Sequence, residues 1–374
     1  MASLALDALE VPLDRSLLHV FVAGPGYGEG IAVALPGGGW IVLDGCRVAT
    51  GALPLLAILE RWRSPGEPVE ALLLTHPHSD HAFGIRELIE ITSPRCVGVT
   101  TSPANPALVF AAIEAELAVS RPSSLDQLRR RIVIDAMLAI RRRFDVAPAE
   151  LIALVDGTRI PLNDPATAAF VRAPDAALVH ARLSRGQPGD PNELSAVVEL
   201  VYGVTRIVLG SDLPTLDSNG AVLPAGWDAV LQRHPHLGDH LGLKVPHHGS
   251  PAAFHADLMP RGAGRTWWIS PFNRGRRLPP TDPDGVPRLV ALNGAVSLTA
   301  TPRPRASQPW HTDPAVVPVA DLPALFAASS AGPGGFSITP PDVGPLEPVW
   351  CGAFDDRGAL RAAWRGPRAF TVVP

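Results

Sequence analysis

Four metal-binding side chains occupy six positions directly after a strongly apolar segment. Residues 69–75 read VEALLLT, a pattern typical of a buried strand, and His76, His78, Asp80 and His81 follow it at once. Imidazole nitrogens and carboxylate oxygens are the groups that bind zinc and similar divalent ions. The sequence therefore predicts a β-sheet whose edge carries a metal-binding loop.

The spacing within this loop favours two metal ions rather than one. His76 and His78 are two residues apart, so both side chains can point to one side and bind the same metal. Asp80 and His81 then face a neighbouring position, where a second metal lies roughly 3.5 to 4 Å away in two-metal hydrolytic sites. We expect two divalent ions, with zinc favoured and manganese as an alternative.

Two later strands end in the same kind of residue. Asp212 follows the apolar segment RIVL, and His247 and His248 of HHGS follow LKV. An Asp at a strand end is usually a turn former, and a lone His pair is usually structural. Because such residues follow three separate strands in this chain, we interpret them as parts of one site.

The three strand ends together resemble the metallo-β-lactamase superfamily. The segments GYGEG, WIVLD, PNELS, LGSD and LKVPHHGS are most similar to the hydrolase domain of bacterial DNA-uptake channel proteins and their free-standing relatives, over about residues 17–275. The resemblance implies an α+β fold, an αββα four-layer sandwich in which two sheets pack face to face between outer helices. It also implies a dinuclear metal site at one edge of the sandwich.

The same resemblance implies roles for individual residues. Asp212 would bridge the two metals, and one of His247 and His248 would join Asp80 and His81 at the second metal, while the other faces substrate or supports a ligand. Asp44, at the end of WIVLD, would orient a ligand rather than bind metal. Asn192 stands where many members have a further His, so the first metal is either weakly held or a harder ion such as manganese.

Three other features have both a functional and a structural interpretation. Asn273 and Arg274 begin a basic loop that either binds phosphate or is simply solvated. Glu29 of GYGEG either lines the mouth of the site or only belongs to a hairpin turn. His180 is an alternative ligand, but it lies within an apparent strand at 177–183, where a packed or surface histidine is the more common outcome.

The chain is long enough for one large domain or two, and we interpret it as one elaborated domain. Residues 1–275 form the hydrolase domain, and a helix-rich insertion at 106–146 is a lid, a dimer surface or an outer layer. Residues 276–374, which include a Pro-rich connection and a less regular tail, form a C-terminal extension packed on the same domain.

Composition excludes several classes of protein. A formal net charge of −4 argues against a broad basic surface for extended duplex nucleic acid. Three cysteines far apart in sequence fit a reducing compartment rather than a disulfide scaffold. We find no leader and no membrane span, so we expect a cytoplasmic protein that does not enter a membrane, with homodimer formation left open.

These features favour a metal-dependent hydrolase that uses activated water. We expect a phosphodiesterase or nuclease-type activity on nucleic acid or a small nucleotide, in which Asp80, Asp212, His247 and His248 carry the catalysis. One alternative is an ester, thioester or lactam hydrolase, because one fold hosts many reactions. Another is a non-catalytic metal-binding sensor or interaction module, an interpretation that Asn192 admits.

Overall fold

A computed structural model of the chain describes residues 12–24, 28–48, 51–111, 124–147, 150–186, 189–217, 219–262, 264–271, 285–299, 316–318, 320, 346, 348–366 and 369–373. These residues form two mixed β-sheets with helices outside them. The apolar strand segments of the sequence are buried along their whole length in most of the strands, which is typical of a sheet covered on both faces.

The first sheet has eight strands in the order β16-β15-β1-β2-β3-β4-β5-β6. Its strands are β1 (Leu18–Ala23), β2 (Gly30–Ala34), β3 (Trp40–Asp44), β4 (Val69–Leu74), β5 (Cys96–Val99), β6 (Leu151–Ala153), β15 (Val349–Phe354) and β16 (Leu360–Arg365). Antiparallel hairpins join β1, β2 and β3, whereas β3, β4, β5 and β6 run parallel. The carboxyl ends of β3 and β4 therefore lie at the same edge.

The second sheet has nine strands in the order β14-β17-β13-β12-β11-β10-β9-β8-β7. Its strands are β7 (Arg159–Ile160), β8 (Thr167–Ala173), β9 (Val197–Tyr202), β10 (Thr205–Leu209), β11 (Gly242–Lys244), β12 (Thr266–Ile269), β13 (Val296–Leu298), β14 (Val316–Pro318) and β17 (Phe370–Val373). Strands β10 and β11 are parallel, so their carboxyl ends also share one edge.

Helices cover the outer faces of both sheets. They are α1 (Pro54–Trp62), α2 (Ser79–Ala82), α3 (Ile85–Thr92), α4 (Ser124–Val146), α5 (Ala176–Ser184), α6 (Trp227–Arg233) and α7 (Val286–Asn293). One apolar cluster fills the space between the sheets, a second lies under α1, α3 and α4, and a third lies under α6 and α7. The predicted αββα sandwich is confirmed.

Two local predictions are wrong. Residues 177–183 form helix α5 rather than a strand, because Asp175 caps the helix by accepting hydrogen bonds from the N–H groups of Ala177 and Leu178. The tail that looks irregular in sequence contains β15, β16 and β17, which complete both sheets. None of the described helices is long and apolar enough to cross a bilayer.

The two sheets meet at the edge where β3, β4, β10 and β11 end. The N–H of Ala196 donates to the carbonyl of Thr75 across this edge, at 3.0 Å. The hydroxyl of Ser211, just after β10, donates to the hydroxyl of Thr75 at 2.7 Å. These contacts bring the polar segments that follow the four strands to one place.

Candidate metal centre

Four of the expected ligands converge at this edge. One ligand atom from each of Asp80, His81, Asp212 and His248 lies within 4.8 Å of the other three. Asp212 Oδ2 is 3.5 Å from Nε2 of both His81 and His248, and Asp80 Oδ2 is 3.8 Å from Nε2 of His248. Two ligands about 2.1 Å from a tetrahedral metal lie about 3.4 Å from each other, so this spacing suits a bound divalent ion.

Asp44 lies behind His81 and does not face the group. Its Oδ2 is 2.8 Å from His81 Nδ1, and its Oδ1 accepts a hydrogen bond from the N–H of Thr75 at 2.7 Å. The Nε2 atom of His81 thus points towards Asp212. Burial opposes a charge on His81, but the Asp212 and Asp44 carboxylates raise the pKa of His81 well above its ordinary value. Asp44 is placed to orient a ligand.

His76 and His78 lie beside this group but belong to no set of three metal-binding side chains among the described residues. The rings of His76 and His78 meet edge to face at 4.9 Å, and the His76 ring is 4.2 Å from that of His81. Burial, together with the charge of His81, lowers the pKa of His76 well below its ordinary value. His76 is therefore neutral and can act as a metal ligand.

The two histidines of HHGS point in different directions. His248 belongs to the four-residue group, whereas Nε2 of His247 lies 3.4 Å from the Asn192 amide and 3.8 Å from Asp212 Oδ2. Asn192 is buried, and its Oδ1 has no hydrogen-bond partner among the described residues. His247 thus lies near both Asn192 and Asp212, outside the group of four.

The backbone around the site adopts an unusual conformation. Among the described residues, five non-glycine residues have a positive φ, and four of them lie here: Asp44 at 57°, Ser211 at 45°, His247 at 50° and His248 at 54°. Left-handed backbone costs about 1 to 3 kcal/mol for such residues and persists only where surrounding contacts enforce it. The strain is concentrated at the strand ends that present the ligands.

Buried polar atoms at the site fit the binding of a divalent metal. His76 Nε2, His81 Nε2 and Asp212 Oδ1 are buried and make no hydrogen bond to any described residue. Leaving such an atom unpaired costs about 1 to 3 kcal/mol. A cation bound between them would accept these lone pairs, so the residues present match the metal that the sequence predicts.

Two charged residues behind the site were not predicted in that role. Glu29 is buried beneath His248 rather than at the mouth of the site, and Lys244 forms an ion pair with it at 2.6 Å. The sequence signal that could have indicated a buried ion pair is a Lys inside the apolar segment GLKV.

Other sequence candidates lie elsewhere. His180 is an exposed residue of helix α5 whose Nδ1 contacts the hydroxyl of Ser102 at 2.9 Å, and it is not one of the converging groups. Asn273 and Arg274 lie outside the described residues. The three cysteines, Cys46, Cys96 and Cys351, are buried and form no disulfide.

Comparison with known proteins agrees with this geometry. Residues 24–131, which contain the HPHSDH cluster, match the model of the Metallo-beta-lactamase superfamily. This part of the chain carries the pattern of the metallo-β-lactamase superfamily. The match confirms the resemblance to the superfamily, whereas the likeness to the hydrolase domain of DNA-uptake channel proteins stays a prediction. No curated protein matches the chain.

Several solved structures are similar to this chain at low identity. Zinc-bound PqqB from Methylobacterium extorquens is 12% identical, with 60% of this chain and 69% of that chain covered and a TM-score of 0.31. A metallo hydrolase from Ignicoccus hospitalis is 11% identical, with 68% and 83% covered and a TM-score of 0.33. A beta-lactamase domain protein from Burkholderia ambifaria is 15% identical, with 63% and 71% covered and a TM-score of 0.35. Likenesses this weak imply nothing about the activity of this chain.

Proposed function

We propose that this superfamily member hydrolyses phosphate esters, and that phosphodiesters of nucleic acids or small nucleotides are its substrates. The observation that supports the proposal is the convergence of Asp80, His81, Asp212 and His248 on one buried position. Two of these ligands are carboxylates, and the Asn192 amide lies where a nitrogen ligand is common in the superfamily. Mixed nitrogen and oxygen sets of this kind suit divalent ions such as zinc and manganese, which also bind phosphate oxygens.

Each metal would have its own set of residues. The second metal would be held by Asp80, His81, Asp212 and His248, the four groups that converge. The first would be held by His76 and His78, with Asp212 shared between the two and with Asn192 and His247 nearby. Divalent ions at such positions acidify water and polarise the oxygen of the bond that breaks. We favour zinc, with manganese as the alternative.

The side chains themselves would divide the remaining work. The Asp80 side chain is 19% exposed, whereas that of His248 is 1% exposed, so Asp80 is the ligand that reaches substrate and can orient the attacking water. His247 also reaches the surface of the site, with 10% of its side chain exposed, and its Nε2 lies beside Asp212. We assign His247 the transfer of a proton to the leaving group.

A comparison of phosphodiester and ester cleavage tests the proposal. The protein would be purified without chelator, its metals determined by elemental mass spectrometry, and its activity measured on bis-p-nitrophenyl phosphate and on p-nitrophenyl acetate. We expect bound divalent metal and phosphodiester cleavage, with kcat reduced at least about a hundredfold in Asp80→Asn and His247→Gln. Asp164→Asn is a matched control, because Asp164 is buried and hydrogen-bonds Thr167 at the start of β8, away from the strand ends that form the site.

Each alternative has its own outcome in this experiment. Cleavage of the acetate ester alone would replace the proposal with an ester, thioester or lactam hydrolase. Bound metal with no turnover of either substrate would favour a metal-binding sensor or interaction module. The absence of both metal and turnover, after addition of zinc and manganese, would refute a metallo-hydrolase.

A further inference from the structure

A buried ion pair lies directly behind the candidate metal centre. Glu29 is 1% exposed and Lys244 is fully buried, and their Oε2 and Nζ atoms are 2.6 Å apart. Lys244 Nζ also donates to the carbonyl of Val245 at 3.1 Å. Removing two charges from water is costly, and a buried pair is often no more stable than apolar residues of the same size. Stability alone therefore does not account for this pair.

Glu29 also contacts one of the four converging ligands. Its Oε2 lies 3.2 Å from Nδ1 of His248, and the carbonyl of Ser270 lies 2.9 Å from the same nitrogen. Nδ1 of His248 therefore carries a proton and donates it to the Ser270 carbonyl, and the negative charge of the Glu29 carboxylate beside it favours the same tautomer. The Nε2 atom then presents its lone pair towards Asp212, at 3.5 Å.

The backbone of the same turn holds a second ligand. The N–H of Glu29 donates to the carbonyl of Asp80 at 3.0 Å. Gly28 approaches so closely that a Cβ atom built there would lie 1.7 Å from that carbonyl oxygen. Glu29 precedes β2 in the first sheet, and Lys244 ends β11 in the second. The ion pair thus joins the two sheets at the point where each sheet supplies a ligand.

We propose that Glu29 and Lys244 form a positioning pair that sets the tautomer and ring orientation of His248 and thereby determines how tightly the second site binds a divalent metal. Lys244 balances the charge of Glu29 and holds its carboxylate against His248. The inference rests on the proposed function only in taking Asp80, His81, Asp212 and His248 as metal ligands. Carboxylates that orient metal-binding histidines change metal affinity 10- to 100-fold when they are replaced.

Metal affinity, measured without any substrate, tests the pair. Full-length apo protein would be titrated with Zn²⁺ against a chromophoric chelator, and with Co²⁺ to follow its visible absorption spectrum. We expect Glu29→Gln to weaken metal binding at the second site about 10- to 100-fold. In a His248→Ala background the same substitution should have no further effect, because Glu29 acts through His248. A purely structural role would instead give additive losses.

Two further variants separate positioning from folding. Glu199→Gln is a matched control, because Glu199 is fully buried and pairs with Arg172 in the second sheet, so it should lower the unfolding midpoint and leave metal affinity unchanged. If Glu29→Gln does not fold, the double variant Glu29→Gln with Lys244→Met takes its place in the titration, because it removes both buried charges. We expect the same 10- to 100-fold loss of Zn²⁺ affinity.

The outcomes distinguish this inference from the proposed function. If the Glu29 variants bind Zn²⁺ with an affinity within about threefold of the wild type, while His248→Ala loses binding at the second site, the positioning role is overturned and the metal centre stands. Additive losses in the Glu29 and His248 double variant overturn it equally. If the wild-type protein binds no divalent metal, both the proposed function and this inference fail.

Discussion

Replacing Asp44 by Asn separates the orientation of a metal ligand from the folding of the loop that carries it. Asp44 has a φ of 57°, a left-handed conformation that Asn tolerates better than most residues, so the backbone should persist. The wild-type carboxylate accepts hydrogen bonds from the Thr75 N–H at 2.7 Å and from His81 Nδ1 at 2.8 Å. An amide has only one oxygen, so it cannot accept both bonds in the same way.

The expected magnitude follows from that loss. In Asp44→Asn the amide oxygen can keep the Thr75 bond, which leaves the NH₂ group facing His81 Nδ1. His81 must then accept at Nδ1, which moves its proton to Nε2, the atom 3.5 Å from Asp212 Oδ2. A protonated Nε2 cannot bind metal. We expect Zn²⁺ affinity to fall about 10- to 100-fold, or about 1.4 to 2.8 kcal/mol.

Chelator competition on apo protein at fixed pH measures this change, with the unfolding midpoint followed by chemical denaturation. We expect the stability of apo Asp44→Asn to change by about 1 kcal/mol, the typical net value of one hydrogen bond. Asp164→Asn, a buried Asp that bonds Thr167 and Ala166 away from the site, should change stability without changing metal affinity. Wild-type affinity in a folded Asp44→Asn protein would refute the orienting role of Asp44.

Three further predictions, on Asn192, Gly28 and His19, test other parts of the structure. Asn192→His adds the imidazole that the first metal site lacks, so we expect that site to bind Co²⁺ about tenfold more tightly. A stepwise Co²⁺ titration measures this, and an unchanged affinity of the weaker binding step would contradict it. Gly28→Ala places a Cβ 1.7 Å from the Asp80 carbonyl oxygen at a φ of 96°, so it should lower the free energy of unfolding by about 3 kcal/mol, measured by urea denaturation. The control Gly51→Ala has a similar φ of 89° but open space around the Cβ, so it should lower the free energy of unfolding by about 1 kcal/mol. Burial lowers the pKa of His19 from 6.5 to about 4, so the unfolded chain binds more protons than the folded chain between pH 6.5 and pH 4. The free energy of unfolding therefore falls as the pH falls through this range, by at most about 3 kcal/mol. Unfolding of His19→Gln measured from pH 4 to 7 should lack this part of the slope, and an identical slope would show that His19 does not titrate as described.

Most of the strands were predictable because they are apolar along their length and their hairpin turns are short, and the sandwich that they form was implied by the resemblance to the metallo-β-lactamase superfamily. The exceptions arose where a local pattern competed with a cap or a distant partner. Residues 177–183 alternate like a strand, but the Asp175 side chain caps a helix there. Strand β15 was missed because Val349–Phe354 pairs with β1, more than 300 residues earlier in the chain, and no local signal reports such a pairing.

The site was predictable in its ligand types and not in its geometry. His76, His78, Asp80 and His81 are recognisable because imidazole and carboxylate groups after a strand have few other uses. The choice between His247 and His248 was not accessible, because adjacent residues differ only in the direction that the left-handed backbone gives each side chain. The structure directs His248 to the four-ligand group and His247 towards Asn192.

The sequence by itself thus determined the strand segments and the candidate metal-binding side chains, which depend on local periodicity and residue chemistry, and its motifs supplied the family resemblance that implied the sandwich. Only the tertiary structure decided which atoms meet. Ser211 and Thr75, 136 residues apart, hydrogen-bond where the sheets join, and the burial of Lys244 beside Glu29 depends on the same packing. Distances between side chains from different sheets depend on how the sheets pack, which no short segment of the chain encodes.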